Sequence, residues 1–186
     1  TFRGSWLDGH RLWRLTGRGA DRRVEVIDPE AGDEQKRVSI AVRDLPGGAA
    51  PLRATGIDGA VVLLLCEDAR VLRWSPGADR IVELDPGAAE AAVFRAEVRR
   101  GRAPQRSRGG GAETRLLIVN ETEEALGVEW VTPDGGRRSY GTLAPGASMN
   151  QHTFAGHVFV LVGADGEDRA WVRGADEPAV ACVGRE

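Results

Sequence analysis

Short runs of alternating apolar residues, each closed within a few positions by Gly, Pro, Asp or Asn, follow one another along the chain. Alternation with period two marks a half-buried strand, and the closing residues supply the φ values that turns require. Strand after strand of this kind predicts an all-β chain. Arg11 to Leu15 and Arg23 to Ile27 read as an antiparallel pair joined by Thr16-Gly17-Arg18-Gly19-Ala20-Asp21, with Asp28-Pro29-Glu30-Ala31-Gly32 as the closing turn. Lys36 to Val42 alternates as a strand and is stopped by Leu45-Pro46-Gly47-Gly48. After the turn Asp58-Gly59, Ala60 to Cys66 is wholly apolar, which suits a strand buried on both faces. Val71 to Trp74 and Arg80 to Leu84 follow, separated by Ser75-Pro76-Gly77 and ended by Asp85-Pro86-Gly87.

Asp8-Gly9 and Asp58-Gly59 open two similar units 50 residues apart. Four short strands per roughly 40–50 residues is the period of a β-propeller blade. An irregular antiparallel sheet fits the same periodicity. Ala88 to Val98 begins with helix formers, enough for one helical turn, and alternates as a strand from Val93 to Val98. Arg99 to Ala112 then carries Arg99, Arg100, Arg102, Arg106 and Arg108, no acidic residue, and Gly109-Gly110-Gly111. Such a segment has too little apolar surface to order itself and reads as a linker.

The remainder is again β. Leu116 to Val119, Leu126 to Val131, Arg138 to Tyr140, Met149 to Phe154, His157 to Val162, Ala170 to Val172 and Ala179 to Val183 are short strands separated by turns such as Pro133-Asp134-Gly135-Gly136 and Pro145-Gly146. Seven strands in so short a stretch predict a small β-sandwich. The chain therefore divides into a partial β-propeller-like antiparallel region over 1–98, an Arg/Gly-rich linker over 99–112 and a seven-stranded β-sandwich over 113–186. Residues 1–103 carry 17 basic and 16 acidic groups, and residues 104–186 carry 8 and 12, so the last part has an acidic surface of its own.

Composition removes several function classes. The net charge of −3 makes no case for nucleic acid, and the basic run at 99–112 has no aromatic residue on which a base could stack. The longest apolar run, Ala60 to Cys66, is far too short to cross a bilayer. Two cysteines cannot make a disulfide-rich scaffold; Cys66 and Cys182 are expected as free buried thiols, with a single bridge as the alternative. His152 and His157 are five apart with no Cys nearby, which is no zinc pattern. No Gly-rich phosphate loop precedes a helix, so neither cofactor nor metal is expected. Asn120-Glu121-Thr122 matches a glycosylation sequon but fits a turn better. Of 25 basic residues only Lys36 is not Arg, which reads as bacterial GC-rich coding or, alternatively, as demand for the bidentate guanidinium. The chain opens Thr-Phe-Arg-Gly, without Met or a signal pattern. It is expected to be a piece of a longer protein, whose compartment (periplasmic, secreted or cytoplasmic) is not legible.

The order Val119-Asn120-Glu121-Thr122, Trp130, Gly135, Tyr140, Leu143, Pro145-Gly146, Thr153-Phe154-Ala155-Gly156-His157 and Phe159 resembles the von Hippel-Lindau β domain across roughly residues 114–175. In that family a β-sandwich reads an extended peptide containing 4-hydroxyproline. The resemblance implies that Trp130 floors the pyrrolidine ring and that Tyr140 lines the wall and bonds the peptide backbone. It implies that Thr153 and His157 meet the added hydroxyl, that Phe159 closes the apolar side, and that His152 stands at the edge near the peptide backbone. Thr153 stands where the family usually has Ser, and Phe159 where it usually has Trp. The family's α-helical domain, used to recruit a ubiquitin ligase, has no counterpart in the strands that follow.

Trp6-Leu7-Asp8-Gly9-His10-Arg11-Leu12-Trp13 with Val26-Ile27-Asp28-Pro29-Glu30-Ala31-Gly32, and then Ile57 to Asp85, resemble propeller blades of the dipeptidyl-peptidase IV group of prolyl oligopeptidases. Some bacterial members carry a von Hippel-Lindau-like insert, an arrangement in keeping with the order here. A catalytic domain of that group needs a nucleophile elbow, Gly-x-Ser-x-Gly; Gly146-Ala147-Ser148-Met149-Asn150 lacks its final Gly. The expected function is thus non-catalytic: a peptide-binding segment of a bacterial prolyl-oligopeptidase-type peptidase. Its partners would be a proline- or hydroxyproline-containing peptide and the missing propeller and catalytic domains of the parent. The alternative is a structural insert without a working pocket, in which Trp130, Tyr140, Phe154 and Phe159 are sandwich core.

Overall fold

A computed structural model describes residues 3–7, 11–30, 37–57, 61–75, 80–85 and 88–184. The turns expected at Asp8-Gly9, Asp58-Gly59, Pro76-Gly77 and Pro86-Gly87 lie outside them, as does Lys36. The described chain is all-β, built from several antiparallel sheets, and its longest helical piece is a six-residue 3-10 turn, Ala89–Phe94. It forms two compact units, Thr1–Asp85 and Pro86–Glu186.

The first unit holds two four-stranded meanders, each strand paired to its neighbour in sequence. One is β1 (Arg3–Trp6), β2 (Leu12–Thr16), β3 (Arg23–Ile27) and β4 (Arg37–Ala41). The other is β5 (Pro51–Ile57), β6 (Val61–Cys66), β7 (Val71–Ser75) and β8 (Arg80–Leu84). Trp13, Leu15, Val24 and Val26 from the first sheet share a core with Val62, Leu64, Leu72 and Trp74 from the second. Arg14 and Glu25 alternate with those residues, sit opposite each other in the β2–β3 ladder, and pair at 2.6 Å. The wholly apolar strand is central: Val62 to Cys66 is completely buried. Sequence patterning found neither β1 nor β5. Pro51 and Gly56 obscure β5, and both are tolerated because it lies at a sheet edge.

In the second unit, Ala89–Phe94 forms the 3-10 turn, and the strand expected over Val93 to Val98 shrinks to β9 (Val98–Arg99). Ala91 and Phe94 are fully buried three residues apart, the spacing that a 3-10 turn brings onto one face. The seven strands expected beyond residue 113 follow: β10 (Glu113–Asn120), β11 (Leu126–Val131), β12 (Arg137–Leu143), β13 (Ser148–Phe154), β14 (Val158–Val162), β15 (Asp168–Arg173) and β16 (Ala179–Val183). With β9 they form a five-stranded antiparallel sheet, β12-β11-β14-β15-β9, and a three-stranded sheet, β13-β10-β16, in which β10 and β16 run parallel. Leu116, Ile118 and Ala181 of the smaller sheet join Val128, Leu161 and Val172 of the larger in one core.

The Arg/Gly segment is held against this unit. Ala103 is buried on Val131, Val158, Val160 and Trp171, on the face of the larger sheet away from that core. The buried Ser107 hydroxyl donates to the Val131 carbonyl and accepts the Val158 amide at 2.8 Å. Arg108 N donates to Gly156 O at 3.1 Å. Order here comes from hydrogen bonds to strand ends, a source that composition does not display. Asn120, fully buried, donates its Nδ2 to Glu124 O and Leu143 O and accepts from Thr122 N and Oγ1. Its side chain is occupied by the turn.

Candidate functional site

The expected peptide-contact residues fall near β12 and β13, each of which is one edge strand of its sheet. Trp130 on β11 sits opposite Arg138 on β12 and Phe159 on β14. Cross-strand partners share a face, so these three project together. Thr153 on β13 is buried, opposite Thr114 on β10. After Phe154 the chain reverses through Ala155-Gly156, with Gly156 at φ 87° and His157 N bonded to Phe154 O at 3.1 Å. That reversal returns His157 to Thr153, and Nδ1 and Oγ1 stand 3.1 Å apart.

The rings form two contacting groups, set side by side by the Trp130–Phe159 strand pairing. His157 lies 4.9 Å from Trp130 and 5.4 Å from Phe154, centroid to centroid. Tyr140 meets Phe159 edge-on at 6.0 Å, and the Arg138 guanidinium sits 5.9 Å over Tyr140. Both distances fall in the attractive range for such pairs. Phe159 is 1% exposed, whereas Tyr140 is 38% and Phe154 40% exposed. The cluster thus has a buried apolar base and an open aromatic rim.

Trp130, Tyr140, Thr153, His157 and Phe159 are therefore brought together. His152, one residue before Thr153, points to the other face of β13. It pairs with Glu113 at 2.8 Å and reaches the cluster only through Phe154, 5.7 Å away. The site also includes Phe154, Arg138 and Thr114, which the expected set omits. Phe154 lies within the quoted motif, but the placement of Arg138 and Thr114 follows from strand register, which residue types do not reveal.

Burial lowers the pKa of His157 from its ordinary value of 6.5, so the ring is neutral at pH 7, with one nitrogen donating and one accepting. Trp130 Nε1 and Thr114 Oγ1 are buried without hydrogen-bond partners. An aromatic cluster beside a neutral imidazole and a hydroxyl suits a flat apolar ring bearing a polar substituent. Ser148 begins β13, so the residue weighed as a nucleophile elbow lies in a strand rather than before a helix. Cys66 and Cys182 are not joined by a disulfide; Cys66 is buried, Cys182 is only half-buried rather than buried as expected, and burial pushes the Cys66 thiol up to about 12. On the opposite face of the larger sheet, a cleft of about 420 Å³ is lined by Arg102, Arg106, Asp134, Arg137 and Asp168. Arg137 there is spent on Asp168, through two bonds of 2.7 Å, and on Glu129.

No family model matches the chain, and no curated protein matches it.

Proposed function

We propose that the second unit is a von Hippel-Lindau-like β-sandwich that recognises an extended peptide through a proline ring hydroxylated at C4. The convergence of Trp130, Tyr140, Thr153, His157 and Phe159 supports this reading. The ring packs on the aromatic side chains, and its hydroxyl meets the Thr153–His157 pair. A proline without the hydroxyl leaves that pair bonded only to each other and forgoes the ligand hydrogen bond, a difference of about 0.5–1.5 kcal/mol. The two meanders of the first unit are read as propeller blades completed by the rest of a bacterial prolyl-oligopeptidase-type parent, with this segment non-catalytic.

Isothermal titration of the full chain with paired peptides, Pro against 4-hydroxyproline, tests the reading. A preference of about tenfold, near 1.4 kcal/mol, lost in His157→Ala, is the expected result. Absence of any NMR shift at Tyr140, Thr153 or His157 with either peptide overturns it. The second reading is a structural insert, favoured by the packing of Phe159 and Trp130 against the core. Under it, Tyr140→Ala changes nothing but stability.

A further inference from the structure

Thr114 and Thr153 are register partners across the β10–β13 ladder, and both are buried, at 4% and 2% exposure. The Thr153 hydroxyl contacts His157 Nδ1 at 3.1 Å. The Thr114 hydroxyl is sealed from solvent and has no hydrogen-bond partner. A buried hydroxyl in that condition has lost the bonds water gave it in the unfolded chain, and native proteins leave few such groups. Valine has the same shape, suits a strand, and carries no such cost. The orphan lies directly across from the one hydroxyl in the slot whose partner an incoming ligand competes for.

We infer that Thr114 is a positioning residue of the slot, acting through Thr153; the inference rests on the reading of the slot as a hydroxyproline site. Thr153 bonds His157, and Thr114 bonds nothing. A ligand hydroxyl that takes His157 Nδ1 releases Thr153. The Thr153 side chain then turns about χ1 to another staggered well and bonds Thr114. A hydroxyl donates once and accepts twice, so Thr153 also retains capacity for the ligand hydroxyl. With a ligand hydroxyl on His157 both threonines are satisfied, whereas the Thr153–His157 bond satisfies only one of them. A ring without the hydroxyl leaves the Thr153–His157 pair intact and Thr114 orphaned, so the relief is specific to the hydroxylated ligand.

The test uses the full chain with Thr114→Val and Thr114→Ser, titrated with the Pro and 4-hydroxyproline peptides, and melted without ligand. Thr114→Val is expected to raise the ligand-free Tm and cut the hydroxyproline preference about fivefold. Thr114→Ser is expected to restore the preference. A wild type that discriminates and a Thr114→Val that discriminates equally overturn the role of Thr114 and leave the slot reading standing. A wild type that binds neither peptide overturns both.

Discussion

Thr153 Oγ1 and His157 Nδ1 stand 3.1 Å apart across a four-residue reversal whose tightest point is Gly156. The pair lies at the end of β13, where the smaller sheet's edge strand gives way to β14 of the larger sheet. One local turn therefore sets where Thr153 and His157 meet.

Gly156 has φ 87°, and a Cβ there would lie 3.1 Å from Arg108 Cβ. Gly156→Ala is expected to cost about 1–2 kcal/mol from the left-handed backbone alone. Chemical denaturation gives the loss, and His157 ring shifts should move with it. A variant as stable as the parent would show that the turn relaxes without strain.

Acid should weaken the fold through His157. Its pKa is lowered by burial, so on acidification the unfolded chain takes up the proton first. The stabilising contribution is present above the unfolded value near 6.5 and is lost as pH falls through the lower folded value. Tm measured from pH 8 to 5 should drop across that window, and His157→Gln should flatten part of the slope. An identical slope in the variant would assign the acid sensitivity to other groups.

Ser107→Ala removes the hydroxyl that bridges the Val131 carbonyl and the Val158 amide. Leaving those backbone groups unpaired is expected to cost about 1–3 kcal/mol. Amide exchange at Val158 should speed up. Unchanged exchange would show that water replaces the hydroxyl there.

Asn120→Ala strips hydrogen bonds from Glu124, Leu143 and Thr122 around a fully buried position. A loss of roughly 2–4 kcal/mol is expected, among the large single-site effects. Expression in a glycosylating host should yield no glycan at Asn120, as read by intact mass.

Native Cys66 should resist alkylation at pH 8, because burial keeps its thiol protonated, with a pKa of about 12. Modification of Cys66 should appear only with unfolding. Rapid labelling under native conditions would reveal local opening of β6.

Periodicity located β3, β8, β11 and β16 to the residue, because an alternating run between turn formers leaves little freedom of boundary. It overlooked β5, whose proline and glycine are tolerable only at a sheet edge, and edges are settled by pairing. The Arg/Gly segment read as unable to order itself, and by its own apolar content it is; Ser107 supplies the order through strand ends far away in sequence. In the aromatic cluster, Trp130, Tyr140, Thr153, His157 and Phe159 are legible from the motif. Thr114 and Arg138 carried no such mark, since only register brings them in.

The sequence alone determined the all-β class and most strand positions, because alternation and turn chemistry act over a few residues. It also settled the buried character of Val62 to Cys66, where unbroken apolarity admits no exposed face. Tertiary structure decided which strands became edges, how β10 and β16 came to run parallel, and which side chains met. Those outcomes depend on pairings between residues far apart in the chain, such as Thr114 with Thr153 and Trp130 with Phe159. No local propensity encodes such pairings; they follow from burying two apolar faces against each other at once.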